Sequence, residues 1–154
     1  MSLTTTTSLD NLTLNIVEEI QVGAPLEATF AALLEQMGPG NQSPDGKPMP
    51  MTIEAWPGGR WFRDLGNGSG HFWGHVQAIK SPTLLEITGP LFMSSPVVSN
   101  VQYRLKENDG GTLITLKHSA FGFVPEGYRS GTSKGWTTML ERTRRQAEAA
   151  RNTH

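Results

Sequence analysis

VQYRLKENDGGTLITLKH, residues 101–118, decides how this chain folds. Two runs, 101–107 and 112–118, alternate apolar and polar residues on either side of NDGG, which is turn chemistry. A four-residue loop sets Glu107 opposite Thr112, Leu105 opposite Ile114, Tyr103 opposite Leu116 and Val101 opposite His118. Val101, Tyr103, Leu105, Ile114 and Leu116 then share one face, with His118 beside them. Gln102, Arg104, Lys106, Thr115 and Lys117 share the other. This predicts an antiparallel sheet with one buried face and one wet face.

Working outward, something must cover the buried face. Residues 126–151 contain no proline and end in the helix formers ERTRRQAEAAR. Tyr128, Thr132, Trp136, Met139, Leu140, Thr143 and Ala147 form one stripe, with Lys134, Glu141, Arg145 and Glu148 opposite. The helix therefore packs its stripe on the sheet, and Trp136 is expected to be buried against the strands carrying Tyr103 and Leu116. Gly131 and Gly135 lie beside the stripe and cost helix stability of about 1 kcal/mol each. Space for something close to the helix would be the return.

Upstream, LTLNIVEEIQV (12–22) reads as a strand. APLEATFAALLEQMG reads as a helix with Pro25 in its first turn, Phe30, Leu33, Leu34 and Met37 on one face, and a stop at Gly38. The Gly/Pro/Asn/Asp-rich segment 39–50 must be loop, as a connector or as a lid. Residues 60–65 and 71–79 are β-prone around GNGSG, and LLEITGPLF follows as a further strand. The order is strand, helix, a run of strands, long helix: an α+β fold with a curved antiparallel sheet of about six to seven strands wrapped around the C-terminal helix.

The bulk composition bounds what such a domain can do. With 154 residues the chain can bury one core. We take 12–151 as a single domain and 1–11, rich in Ser and Thr, as a flexible tail. A net charge of −1 gives no general attraction to nucleic acid or anionic membrane. The absence of cysteine excludes disulfides, thiolate metal sites and a thiol nucleophile. No apolar run approaches the ~20 residues of a spanning helix. MSLTTTTSLD lacks a signal pattern, so a cytoplasmic location is expected.

The stretch WPGGRWFRDLGNGSGHFWGHV (56–76) concentrates three of the four tryptophans, two of the four histidines and six of the 17 glycines. His71 and His75 are four apart, which on a strand spans ~13 Å and is too far for one ion, so no metal site is expected. GNGSG joins two strands instead of opening a helix, so it is a turn and not a phosphate loop. No G-x-S-x-G elbow occurs. The wall of a pocket remains. A turn centred on Gly68 places Trp61, Arg63, Leu65, His71, Trp73 and His75 on one face and Phe62, Asp64, Phe72, Gly74 and Val76 on the other. Indoles bury the larger area, so the tryptophan face is expected to point inward.

Several pieces, in this order and spacing, resemble one family. They are IVEEIQVGAPLEATFAALLE, WPGGRW with Pro57-Gly58-Gly59, Gly74 with the SP turn at 81–82, SPTLLEITGP, GGTLITLKH and GWTTML. The chain resembles the SRPBCC (START/Bet v 1-like) superfamily over about residues 12–148, in the branch related to the C-terminal domain of the activator of the Hsp90 ATPase. The resemblance implies a helix-grip fold, often with a cavity between sheet and C-terminal helix. Many relatives carry a tryptophan after the first helix. Here that region reads GPGNQSPDGKPMPM, which puts the mouth of the cavity and its ligand outside the resemblance.

Three functions follow for testing. The first is binding of a small hydrophobic, aromatic or lipid-like molecule in a pocket lined by Trp61, Trp73, Tyr103, His118, Phe121, Tyr128, Thr132 and Trp136. The second is a cyclase- or hydrolase-like enzyme that needs no cofactor, with His118 as general base beside Tyr103 or Tyr128. The third, from the family analogy alone, is a co-chaperone-like interaction module. A chaperone partner is not expected for a free-standing domain. No nucleic-acid partner is expected, and a homodimer stays open.

Overall fold

The computed structural model describes residues 8–151. Residues 1–7 of the expected tail lie outside the described residues. Just before the first strand, α1 (Leu9–Leu12) is one helical turn. Arg129 holds its exit by donating to Thr13 O at 2.8 Å and Asn11 O at 3.1 Å.

The remaining elements are β1 (Thr13–Val22), α2 (Leu26–Met37), β2 (Thr52–Ile53), β3 (Arg60–Gly66), β4 (Ser69–Lys80), β5 (Leu84–Gly89), β6 (Val97–Asn108), β7 (Gly111–Gly122) and α3 (Glu126–Arg151). The seven strands form one antiparallel sheet in the order β1-β7-β6-β5-β4-β3-β2. This is the α+β helix-grip arrangement. Strands β2 to β7 form a meander, and β1 closes the far edge beside β7.

The β6–β7 hairpin has the register its alternation predicts: Glu107–Thr112, Leu105–Ile114, Tyr103–Leu116 and Val101–His118 are partners. Pairing continues to Asn108–Gly111 because Asp109 (φ 49°) and Gly110 (φ 76°) make a two-residue turn. Left-handed backbone at both positions matches the twist of the strands. Leu105, Ile114 and Leu116 are all buried, each worth about 1.5–3 kcal/mol.

The β3–β4 hairpin departs from the simple alternation. Its turn is Asn67-Gly68, and irregularities between Trp61/Phe62 and Asp64/Gly66 shift the register. Trp61 pairs with Gly74 and Phe62 with Phe72, leaving Trp73 as an extra residue. Such a bulge puts neighbouring side chains on one side of the strand. Trp73 and Val76 thus both reach the core cluster, and Trp61 is fully buried there. His75 belongs to the outside with Phe72 (4.8 Å between ring centroids), where the Arg60 guanidinium lies 4.7 Å over Phe62. The expected inward face is correct for the two tryptophans and incorrect for Leu65, His71 and His75, which are exposed, while Val76, expected outside, is buried.

Helix α2 starts after Pro25, and Gly38 N–H closes its end on Glu35 O at 3.2 Å. Its buried face, Phe30, Leu33 and Met37, closes one end of the core. It packs beside α3, with Gln36 Nε2 donating to Gln146 Oε1 at 2.7 Å. The α3 stripe lies against the sheet: Thr132, Trp136, Leu140, Thr143 and Ala147 are buried. Among the described residues, no helix is long and apolar enough to cross a membrane.

Candidate functional site

Helix α3 does not meet the whole sheet. Toward its N-terminal half it stands off, and a cavity of about 440 Å³ opens between it, β3–β4, the segment after β5 and the 39–50 loop. The stand-off begins with Gly131 and Gly135, where an added Cβ would meet nothing within 4 Å. Both glycines line the space, so their cost to the helix coincides with room beside it.

The opposite wall is a run of rings. Trp61 meets Trp73 edge-on, with centroids 5.0 Å apart at 82°. Trp73 meets Phe92 at 5.8 Å, and Phe92 meets Tyr128 at 5.4 Å and Trp136 at 6.1 Å. Local hydrogen bonds hold these rings. Trp61 Nε1–H donates to Met37 O at 2.8 Å, satisfying a carbonyl at the open end of α2. Leu91 N–H donates to Trp73 O at 2.8 Å, which hangs the Leu91-Phe92 segment on the bulge. Asn41, Gln42, Pro44 and Met49 from the loop complete the lining, with Thr138, Met139 and Arg142 from α3.

Five of the eight residues expected at the pocket are there: Trp61, Trp73, Tyr128, Thr132 and Trp136. Three need correction. Phe121 is 54% exposed and lies on the far face of the sheet, in a shallow depression with Val98 and Asn100. The period of two explains it: His118 and Ala120 point inward, so Phe121 points outward. Tyr103 and His118 face inward and are fully buried, but they lie behind Trp136 and not on the cavity surface. Tyr103 is 6.3 Å from the Trp136 ring and His118 5.6 Å, both edge-on.

His118 is bonded through both ring nitrogens. Trp136 Nε1–H donates to Nδ1 at 3.0 Å, and Nε2 lies 2.9 Å from Ser99 Oγ. An indole only donates, so Nδ1 is the acceptor and the neutral ring carries its proton on Nε2, directed at Ser99. Burial drives its pKa down from 6.5 to about 4, because the charged form loses its hydration. A ring with both nitrogens occupied, screened by an indole, has no access to a ligand. The general-base role for His118 is therefore withdrawn. Tyr103 is equally committed: its hydroxyl meets Met139 Sδ at 3.5 Å, and burial raises its pKa.

Sequence reasoning missed Phe92, Met139, Arg142 and the loop residues. The sequence pattern places Phe92 within a strand, yet the strand stops at Gly89 and Leu91 turns the chain with φ 57°. Pro90 after Gly89 was the available signal. Met139 was in the stripe, and Arg142 follows it at helical spacing on the same side.

Comparison with known proteins agrees with this architecture. The family model "Activator of Hsp90 ATPase homolog 1-like protein" matches residues 24–145. No curated protein matches the chain in sequence. Among solved structures, an AHSA1-like protein from Aeromonas hydrophila superposes with TM-score 0.64 at 19% identity, over 92% of this chain and 97% of that one. Ara h 8.0201 gives TM-score 0.67 at 14% identity, over 89% and 99%. The di-domain ARO/CYC StfQ from the steffimycin biosynthetic pathway gives 0.68 at 11%, over 94% of this chain and 54% of that one. At such identities these likenesses establish the shared fold.

Proposed function

The chain belongs to the family of activator of Hsp90 ATPase homolog 1-like proteins, and from that premise we propose that it binds a small hydrophobic, aromatic or lipid-like molecule between α3 and the sheet. One observation carries the reading: a space of about 440 Å³ walled by Trp61, Trp73, Phe92 and Trp136, on a helix that carries glycine at Gly131 and Gly135 where it borders that space. The volume lies within the usual range of small-molecule sites, about 300–1,000 Å³. The rings supply contact area, and Tyr128, Thr132 and Asn41 supply a few polar atoms.

A chaperone partner forms no part of this reading, and neither does catalysis by His118. The test is thermal-shift and tryptophan-fluorescence titration with a series of apolar aromatic and long-chain ligands. Binding should be saturable, and a ligand at one hundred times its Kd should stabilise the fold by about 2.7 kcal/mol. No shift from any member of the series would overturn the proposal.

A further inference from the structure

Among the ionisable side chains that line the cavity, only Arg142 carries a permanent charge. The other is Tyr128, and among the described residues no carboxylate borders the space. Arg142 is half-buried. Among the described residues the ion pairs are Lys47–Asp45, Arg60–Glu54 and Arg144–Glu141, and Arg142 is in none of them. Its guanidinium instead donates to two loop carbonyls, Gln42 O at 3.4 Å and Ser43 O at 3.2 Å. Both bonds are longer than the roughly 2.7–2.9 Å of a charge-assisted hydrogen bond to a carboxylate. Two long bonds to neutral carbonyls hold this cation weakly, and an anion would bind it better than the loop does.

Its place along the helix adds a direction. Tyr128 and Phe92 close one end of the cavity, and Arg142 with Asn41 and Gln42 closes the other. At about 1.5 Å per residue, Tyr128 and Arg142 stand about 21 Å apart along α3. The lining is thus polarised, with rings at one end and a fork of N–H donors at the other.

We propose that the ligand is an amphipathic carboxylate, its apolar body among Trp73, Phe92 and Trp136 and its anionic head paired with Arg142 at the 39–50 loop. This deepens the proposed function and rests on it. The fork geometry suits a bidentate carboxylate, which takes over the donors now spent on Gln42 O and Ser43 O. A neutral ligand of the same shape gains the apolar contacts and lacks this pair.

The test uses 11-(dansylamino)undecanoate and its primary amide, an elongated pair differing only in head-group charge, read by dansyl fluorescence. The wild-type protein should bind the carboxylate on the order of tenfold more tightly than the amide. Arg142→Met should abolish that preference, so that carboxylate and amide bind it equally whatever the amide's own Kd becomes, and Arg142→Lys should restore part of it. The amide is the internal control for folding and for any loosening of the loop. Equal binding of the two probes by the wild type, or a preference that survives Arg142→Met, overturns the carboxylate assignment and leaves the cavity reading standing. Failure of both probes to bind the wild type overturns the carboxylate assignment, and the cavity reading falls with it when the aromatic and long-chain series also fails to bind.

Discussion

Replacing Trp136 with alanine perturbs the fold and the cavity at their junction. The indole is 5% exposed. It contacts His118, Tyr103 and Phe92 at centroid distances of 5.6, 6.3 and 6.1 Å, and its Nε1–H donates to His118 Nδ1 at 3.0 Å. Burying an aromatic side chain removes about 150–250 Å² from water, which at about 25 cal/mol per Å² is about 4–6 kcal/mol. One edge of the ring borders the cavity and already lacks protein contacts, which lowers the figure. The lost hydrogen bond strands the His118 acceptor and raises it by about 1–3 kcal/mol, less whatever water entering from the cavity returns. The net expectation is a loss of about 3–5 kcal/mol. Trp136→Phe separates the contributions: it keeps most of the ring area and removes the donor, so it should cost about 1–3 kcal/mol. Urea titration with unchanged m-value reads both. A loss below about 1 kcal/mol for Trp136→Ala means that the indole is not packed between helix and sheet, and the helix-on-sheet account fails.

Protonation of His118 should tie stability to acid. The folded ring holds out to about pH 4 while the unfolded ring takes its proton near 6.5. Stability should therefore fall as pH drops through that window and level off below it, by up to about 3 kcal/mol. His118→Asn should flatten this slope in urea titrations at pH 7 and pH 5, and an unchanged slope would assign it to other groups. Gly131→Ala and Gly135→Ala should each raise stability by up to about 1 kcal/mol, since a methyl there meets nothing. Gly135→Leu should instead fill the cavity and weaken ligand binding at least tenfold by fluorescence titration, and unaltered binding would place the ligand elsewhere. Gly89→Ala puts a Cβ 2.4 Å from Trp73 O, so it should cost more than about 2 kcal/mol and alter the near-ultraviolet circular dichroism of the tryptophans.

What was legible in the sequence follows from how locally each feature is specified. The β6–β7 register could be read residue by residue, because a tight turn and strict alternation determine it together. Trp136 could be placed because the α3 stripe and the polar outer residues of β6 and β7 point to the same interface. The β3–β4 hairpin resisted because one extra residue at Trp73 changes which side chains share a face, and nothing in GHFWGHV marks where a bulge falls. Depth was the other obstacle. Alternation places Tyr103 and His118 inward but does not reveal that Trp136 lies over them. Parity from His118 directs Phe121 outward, against its expected place in the pocket lining. The polar end of the cavity depends on where the 39–50 loop folds back, through contacts such as Met49 N–H to Asn41 O at 2.8 Å. Periodicity carries no information about those contacts.

The most direct measurement is a crystal structure of the protein grown with 11-(dansylamino)undecanoate. The account predicts continuous ligand density between α3 and the sheet, beside Gly131 and Gly135 and in contact with Phe92 and Trp136. Density confined to the outer surface, with Phe92, Trp136 and Met139 collapsed together so that no space remains, would contradict it.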